Sequence, residues 1–165
     1  MQLNEFYDYK NQLMGDILTN KRIVHLLDKD LDFDDAEKLR YTQVFPYEFI
    51  PETIEHGVSF ICFDVDIQKS LNKTFYLPTL YIWIFSHSSI LHNEDGILPD
   101  MICSELANML NGSRFYGLGE LDLYSVKRFS PMTHYQGKVM TFNAEDFNRI
   151  NPTGKPIPGN RKKGY

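Results

Sequence analysis

The sequence predicts an α+β fold: an antiparallel sheet with N-terminal helices, one central helix packed across it, and an extended C-terminal arm. Three observations lead there. Apolar residues recur at helical spacing near the N-terminus and again after Pro99. Apolar, β-branched stretches come in two pairs, each joined by a short polar or turn-like link. The order is helices, two strands, a helix, two strands, without the strand–helix–strand alternation of a parallel sheet. With 165 residues, 42% hydrophobic and 14% aromatic, the chain has material for one core and is short for two domains. Only 24% of it is charged, and no stretch is dominated by one residue type, which excludes wholesale disorder. The expected division is a single α+β domain over 1–148 and a basic, Pro/Gly-rich arm over 149–165.

Each element follows from local pattern. Residues 4–19 put Phe6, Leu13, Ile17 and Tyr7, Met14, Leu18 at helical spacings, and Asn20 suits the cap of a second short helix, KRIVHLLDKD, striped by Ile23, Val24, Leu26 and Leu27. The acids of DKDLDFDDAE alternate as in a calcium loop. Counted from Asp28, however, the sixth position is Phe33 where glycine is needed and the twelfth is Leu39 where glutamate is needed, so a solvated acidic loop is expected. YTQVFPYEFI is broken by Pro46 and reads as an edge strand or extended connection. In VSFICFDVDI, Ile61, Phe63, Val65 and Ile67 share a core face while Cys62, Asp64 and Asp66 share a partly wet one. FYLPTLYIWIFS is apolar at nearly every position after Pro78, as for a strand covered on both faces or lying at a subunit contact. The short polar link QKSLNK makes these two an antiparallel hairpin. HSSILHNEDG is a loop. Pro99 then opens the helix DMICSELANMLNG, with Ile102, Leu106, Met109 and Leu110 on one side and Gly112 at its end. LYSVKRFSP and GKVMTFNA are the last strands.

Function classes are narrowed mainly by what is missing. No apolar run approaches the length of a membrane span, and MQLNEFYDYK lacks the basic-then-apolar order of a signal peptide, so a soluble intracellular product without membrane contact is expected. Cys62 and Cys103 lack CxxC spacing and read as buried thiols. There is no GxxxxGK[ST], GxSxG, HExxH or GxGxxG, and Gly117-Leu118-Gly119 reads as a turn. Asp64 and Asp66 lie two apart on a strand, and with His87 or His92 they form the basis of an alternative reading, a small metal-dependent hydrolase. The competing reading places both carboxylates on the solvent side of an amphipathic strand. The expectation is no cofactor, no metal site and no catalytic residue. Lys127 and Arg128 point to opposite faces of their strand and do not make a nucleic-acid groove.

Charge divides sharply along the chain. Arg149, Lys155, Arg161, Lys162 and Lys163 are the charged residues of the last seventeen positions, which leaves twelve basic and twenty-two acidic groups, a net −10, on residues 1–148. An acidic body disfavours polyphosphate binding except through the arm. The arm is either a solvated terminus or a segment that orders on a neighbour's acidic surface.

The order of elements resembles that of tailed-bacteriophage neck proteins, particularly tail terminators and tail-completion proteins. The resemblance lies in the helical segment ending in NKRIVHLLDKD, the hairpin FICFDVDI…LPTLYIWIFSH, the helix DMICSELANMLNG and the pair LYSVKRFSPMTHYQGKVMTFNAEDF, over roughly residues 4–147. It implies a non-enzymatic virion protein, assembled in the host cytoplasm as a ring, commonly a hexamer, that joins the tail tube to the head connector. The implied partners are copies of itself and adjoining neck and tail-tube proteins, with DNA at most passing through a lumen. The aromatic YTQVFPYEFIP stretch and the basic tail are not diagnostic of terminators, so another neck or tail-tube component is the alternative. Phe45, Tyr47 and Phe49 are candidate interface residues, because three aromatics beside a proline are costly to expose; ordinary core packing is the competing account. Lys155, Arg161, Lys162 and Lys163 are candidates for electrostatic docking to a partner.

Overall fold

The computed structural model describes residues 6–55, 57–68, 75–144 and 146–147. Helix α1 (Phe6–Thr19) is followed at once by α2 (Lys21–Leu27). The Asn20 side chain separates them by accepting bonds from the amides of Arg22 at 3.1 Å and Ile23 at 3.2 Å, as an N-cap residue should. Helix α2 stops three residues before the predicted end, because Asp28 is extended and donates its amide back to Val24.

The acidic stretch is not a simple loop. Asp28 caps the amide of Asp30 and Asp32 that of Asp34, and residues Phe33–Leu39 wind into a 3₁₀ helix that buries Ala36 and Leu39. Lys38 pairs with Asp35 and Arg40 with Glu37, both at 2.7 Å. The acids remain largely solvated, as expected, but from Phe33 onward the 3₁₀ helix replaces the expected loop.

Five strands form the main sheet: β1 (Val44–Phe45), β2 (Ser59–Gln68), β3 (Phe75–His87), β6 (Asp122–Phe129) and β7 (Tyr135–Asn143), in the order β1-β2-β3-β7-β6. Pairing is antiparallel except between β1 and β2. The expected loop at 87–96 contains a 3₁₀ turn (Ser88–Ile90) and feeds a small hairpin of β4 (His92–Asn93) and β5 (Gly96–Ile97). Helix α3 (Leu98–Leu110) begins with Pro99 in its first turn, where the missing amide is harmless. It ends as Gly112 takes φ +78°. A last short strand, β8 (Asp146–Phe147), pairs with the start of β3.

The fold class is as the sequence predicts. One face of the sheet carries Ile61, Phe63, Leu80, Ile82, Ile84, Met140 and Phe142, all buried against Leu13, Ile17, Ile23, Ile102, Leu106 and Leu110 of the three helices. Each such side chain contributes about 1.5–3 kcal/mol on leaving water, so this interface is the main source of stability. Cys62 and Cys103 are free thiols buried in different clusters.

Candidate interaction surface

The second face of the sheet is unlike the first. Strand register lays its side chains out in rows that cross the sheet: Phe60, Phe85, Gly137 and Phe129; then Cys62, Trp83, Val139 and Lys127; then Asp64, Tyr81, Thr141 and Ser125; then Asp66, Thr79, Asn143 and Asp122. The first row is covered. After β1 the chain folds over it, with Phe45 stacked on Phe49 at 4.0 Å and Phe49 5.7 Å from Phe60. Tyr135 ties this cover down: its hydroxyl donates to the Glu55 carbonyl at 3.0 Å and accepts from the Glu55 amide at 2.9 Å.

In the next row the cover thins: Cys62 is still buried, its thiol donating to the Phe49 carbonyl at 3.7 Å, and among the described residues the packing is looser beyond it. Tyr81 and Trp83 stack with centroids 5.9 Å apart and are only half-buried, as are Val139 and Thr141. Tyr124, at the irregularity where β6 slips register between Leu123 and Ser125, is 70% exposed. This open end of the face is walled by the segment after α3. Gly112 donates to the Leu121 carbonyl at 2.7 Å, and the Asn111 side chain accepts from the Leu123 amide at 2.9 Å. Between that wall and the sheet lies a cleft of about 840 Å³, lined by Thr79, Tyr81, Asn143, Glu120, Asp122 and Tyr124 among others. Glu120 is held by an ion pair with Arg114.

The candidate site residues of the sequence fall in different places. Phe45 is packed inside the chain, 5% exposed, against Phe49 and Phe60. Phe49 is half-buried, so Tyr47 is the one of the three aromatics whose side chain is turned largely to solvent. Lys155, Arg161, Lys162 and Lys163 lie outside the described residues.

Asp64 and Asp66 do not converge with the histidines. Asp64 seals the edge of β2: it accepts from the Val65 amide at 2.8 Å and the Tyr9 hydroxyl at 3.3 Å and pairs with Lys10 at 3.0 Å. Burial, reinforced by that carboxylate, raises the Tyr9 hydroxyl well above its ordinary pKa. His87 ends β3, six residues beyond the Tyr81 that faces Asp64, or roughly 20 Å at strand rise. Among the described residues no three His, Cys, Asp or Glu side chains gather as a metal would need. Burial pushes the Cys62 and Cys103 thiols up to about 12, so neither is a ready nucleophile. Among the described residues, no helix is long and apolar enough to cross a membrane.

A comparison with protein families finds one whose model, YomW, matches residues 20–144. The chain belongs to the YomW family, which is phage-associated. The YomW match starts at the Asn20 cap and ends just past β7, so it takes in the strands β1, β2, β3, β7 and β6, α2, α3 and the cleft wall, and leaves out α1 and β8. Comparison with curated proteins and with solved structures finds no match. Within this YomW protein, the residues missed by sequence reasoning are those of the cleft: Thr79, Tyr81, Asp122, Tyr124 and Asn143. The signal present was the alternation Thr79, Tyr81, Trp83 along β3, a polar and amphipathic-aromatic series opposite the purely aliphatic Leu80, Ile82, Ile84.

Proposed function

We propose that this YomW-family protein is a non-enzymatic virion structural protein that assembles into a ring at the head–tail junction, in the manner of a tail terminator, and joins the tail tube to the head connector. The observation that carries the reading is the open half of the second sheet face. There Tyr81, Trp83 and Val139 sit half-buried on neighbouring rows, and Tyr124 stands exposed beside them, a set of side chains that a second copy could bury further. Its phage-associated family supports a virion setting. A ring repeats one contact between two different surfaces of neighbouring subunits, and this chain offers an aromatic face on the sheet and a basic terminal arm far from it in sequence. The hydrolase alternative is weakened because the Asp64 carboxylate is occupied by Lys10, Tyr9 and the strand backbone.

The test is to measure the mass of the purified full-length protein by native mass spectrometry, image it by negative-stain electron microscopy, and probe isolated phage particles for the chain. Closed rings, with the chain found at the neck of the particle, are expected. Monomers at all concentrations together with absence from particles would overturn the reading, and open tubes would move it to the tail-tube alternative.

A further inference from the structure

The cleft at the open end of the second face has a definite chemistry. Among the described residues lining it, two are acidic and none is basic. The row that crosses it carries a carboxylate at each end, Asp66 on β2 and Asp122 on β6, both exposed, with Thr79 and Asn143 between them. At the usual spacing of paired strands these two acids stand roughly 14 Å apart. Above the row, Tyr81 and Trp83 offer stacked ring faces, and Tyr124 stands exposed beside them. Aromatic faces flanked by acids suit a proline-bearing, cationic, extended segment, since proline-rich chain docks on aromatic grooves at low entropic cost and adjacent lysines and arginines meet the carboxylates.

The sequence contains a proline-bearing, cationic segment. Residues 149–165 hold Pro152, Pro156 and Pro158, then Arg161, Lys162 and Lys163. We propose that the arm of one copy docks in the aromatic, acidic cleft of the next. The inference rests on the assembly reading above and names the contact that joins neighbours. Reach permits either the chain's own cleft or a neighbour's, and the assembly reading selects the neighbour. The chain passes β8 beside the start of β3, close to Leu77 and Pro78 of the cleft's own lining. Arg161 follows Phe147 by fourteen positions. If extended at the rise of proline-rich chain, that length would reach at most roughly 40 Å, enough for the cleft of an adjoining copy. The 28–37 stretch carries more carboxylates, but Asp28 and Asp32 cap local amides and Asp35 and Glu37 are paired, and it has no counterpart of the stacked Tyr81 and Trp83 among the described residues.

Equal amounts of full-length protein at natural isotope abundance and labelled with nitrogen-15 are mixed, allowed to exchange by dissociation and reassembly, and treated with a carbodiimide that joins lysines to carboxylates without a spacer. Mass spectrometry then reads which copies are joined. The expected result is mixed-label crosslinks from Lys155, Lys162 or Lys163 to Asp122 or Asp66. Their yield should fall at least severalfold in the Lys162→Glu, Lys163→Glu variant and recover when Asp66→Lys and Asp122→Lys are added, read through crosslinks of the swapped pair. Rings that form without mixed-label arm-to-cleft crosslinks would overturn the inference and leave the assembly reading standing, as would arm crosslinks confined to one copy or to the 28–37 acids. Monomers alone would remove both.

Discussion

At the scale of single residues, the two cysteines give the chain a defined alkaline limit. Burial is the main cause that lifts both thiols to about 12, with Glu48 adding to it at Cys62 and Asp100 at Cys103. In the unfolded chain the same thiols ionise near pH 9. The unfolded state therefore releases protons first, so the stability tied to each thiol is complete below about pH 9 and falls as pH rises toward 12, by about 1.4 kcal/mol per pH unit at most for each. Tyr9 and Tyr116 have hydroxyl pKa values raised chiefly by burial as well, with Asp64 and Asp16 as their neighbours, and they steepen the decline above about pH 10. Urea unfolding followed across pH should give a flat plateau near neutrality and a drop beginning above about pH 9. In the Cys62→Ala, Cys103→Ala variant the early part of that drop should flatten. A decline that begins well below pH 8, or one indifferent to the double substitution, would contradict the burial of these thiols.

At the scale of elements, the contact that least tolerates change is the pairing of β3 with β7. Gly137 sits so close to β3 that a Cβ placed on it falls 1.8 Å from the Ile84 carbonyl oxygen and 2.6 Å from the Phe85 Cα. Both neighbours are backbone and cannot turn aside, so the strands themselves must part. Phe85 and Phe129 close over the glycine with their rings 5.8 Å apart, and separating the strands opens that packing too. Gly137→Ala should cost about 1–3 kcal/mol, seen as a lower urea midpoint; an unchanged midpoint would mean the strands are not this close. What sequence could reveal at this scale follows the range of the interaction. Asn20, Pro99 and Gly112 act on atoms a few residues away, and the helix boundaries they set were legible. The 2-residue period of Ile61, Phe63 and Val65 likewise placed β2. The parallel pairing of Val44 and Phe45 with Ile61 and Cys62 joins chain far apart in sequence and had no local mark. The 3₁₀ turn at 33–39 was hidden for another reason: its acids alternate like a loop, while the informative pair, Ala36 and Leu39, is spaced by three.

At the scale of the whole molecule, the proposed assembly would divide the labour of the sheet's two faces between folding and association. The helix-covered face and the first row of the second are closed within the chain. The remaining rows became visible as a surface only once register was known, because Asp66, Thr79, Asn143 and Asp122 come from four strands and their row depends on every pairing between them. The division can be separated by substitution. Phe60 is 1% exposed and touches Phe45, Phe49, Phe85 and Tyr135, so Phe60→Ala should remove about 3–5 kcal/mol of stability and weaken assembly only through the loss of folded chain. Trp83 is half-buried, stacked on Tyr81 and packed at the margin of the covered cluster of Phe60 and Phe85. Trp83→Lys should cost less stability than Phe60→Ala, because Trp83 is only half-buried and the lysine stem can lie along the margin of the cluster with its head in water. The same change sets a charge in the middle of the aromatic surface, where desolvating it against a second copy opposes association. Mass photometry at matched folded concentration should find the Trp83→Lys protein dissociated while its urea midpoint stays well above that of Phe60→Ala. If Trp83→Lys instead unfolds the chain as Phe60→Ala does, that half of the sheet belongs to the core and not to an interface.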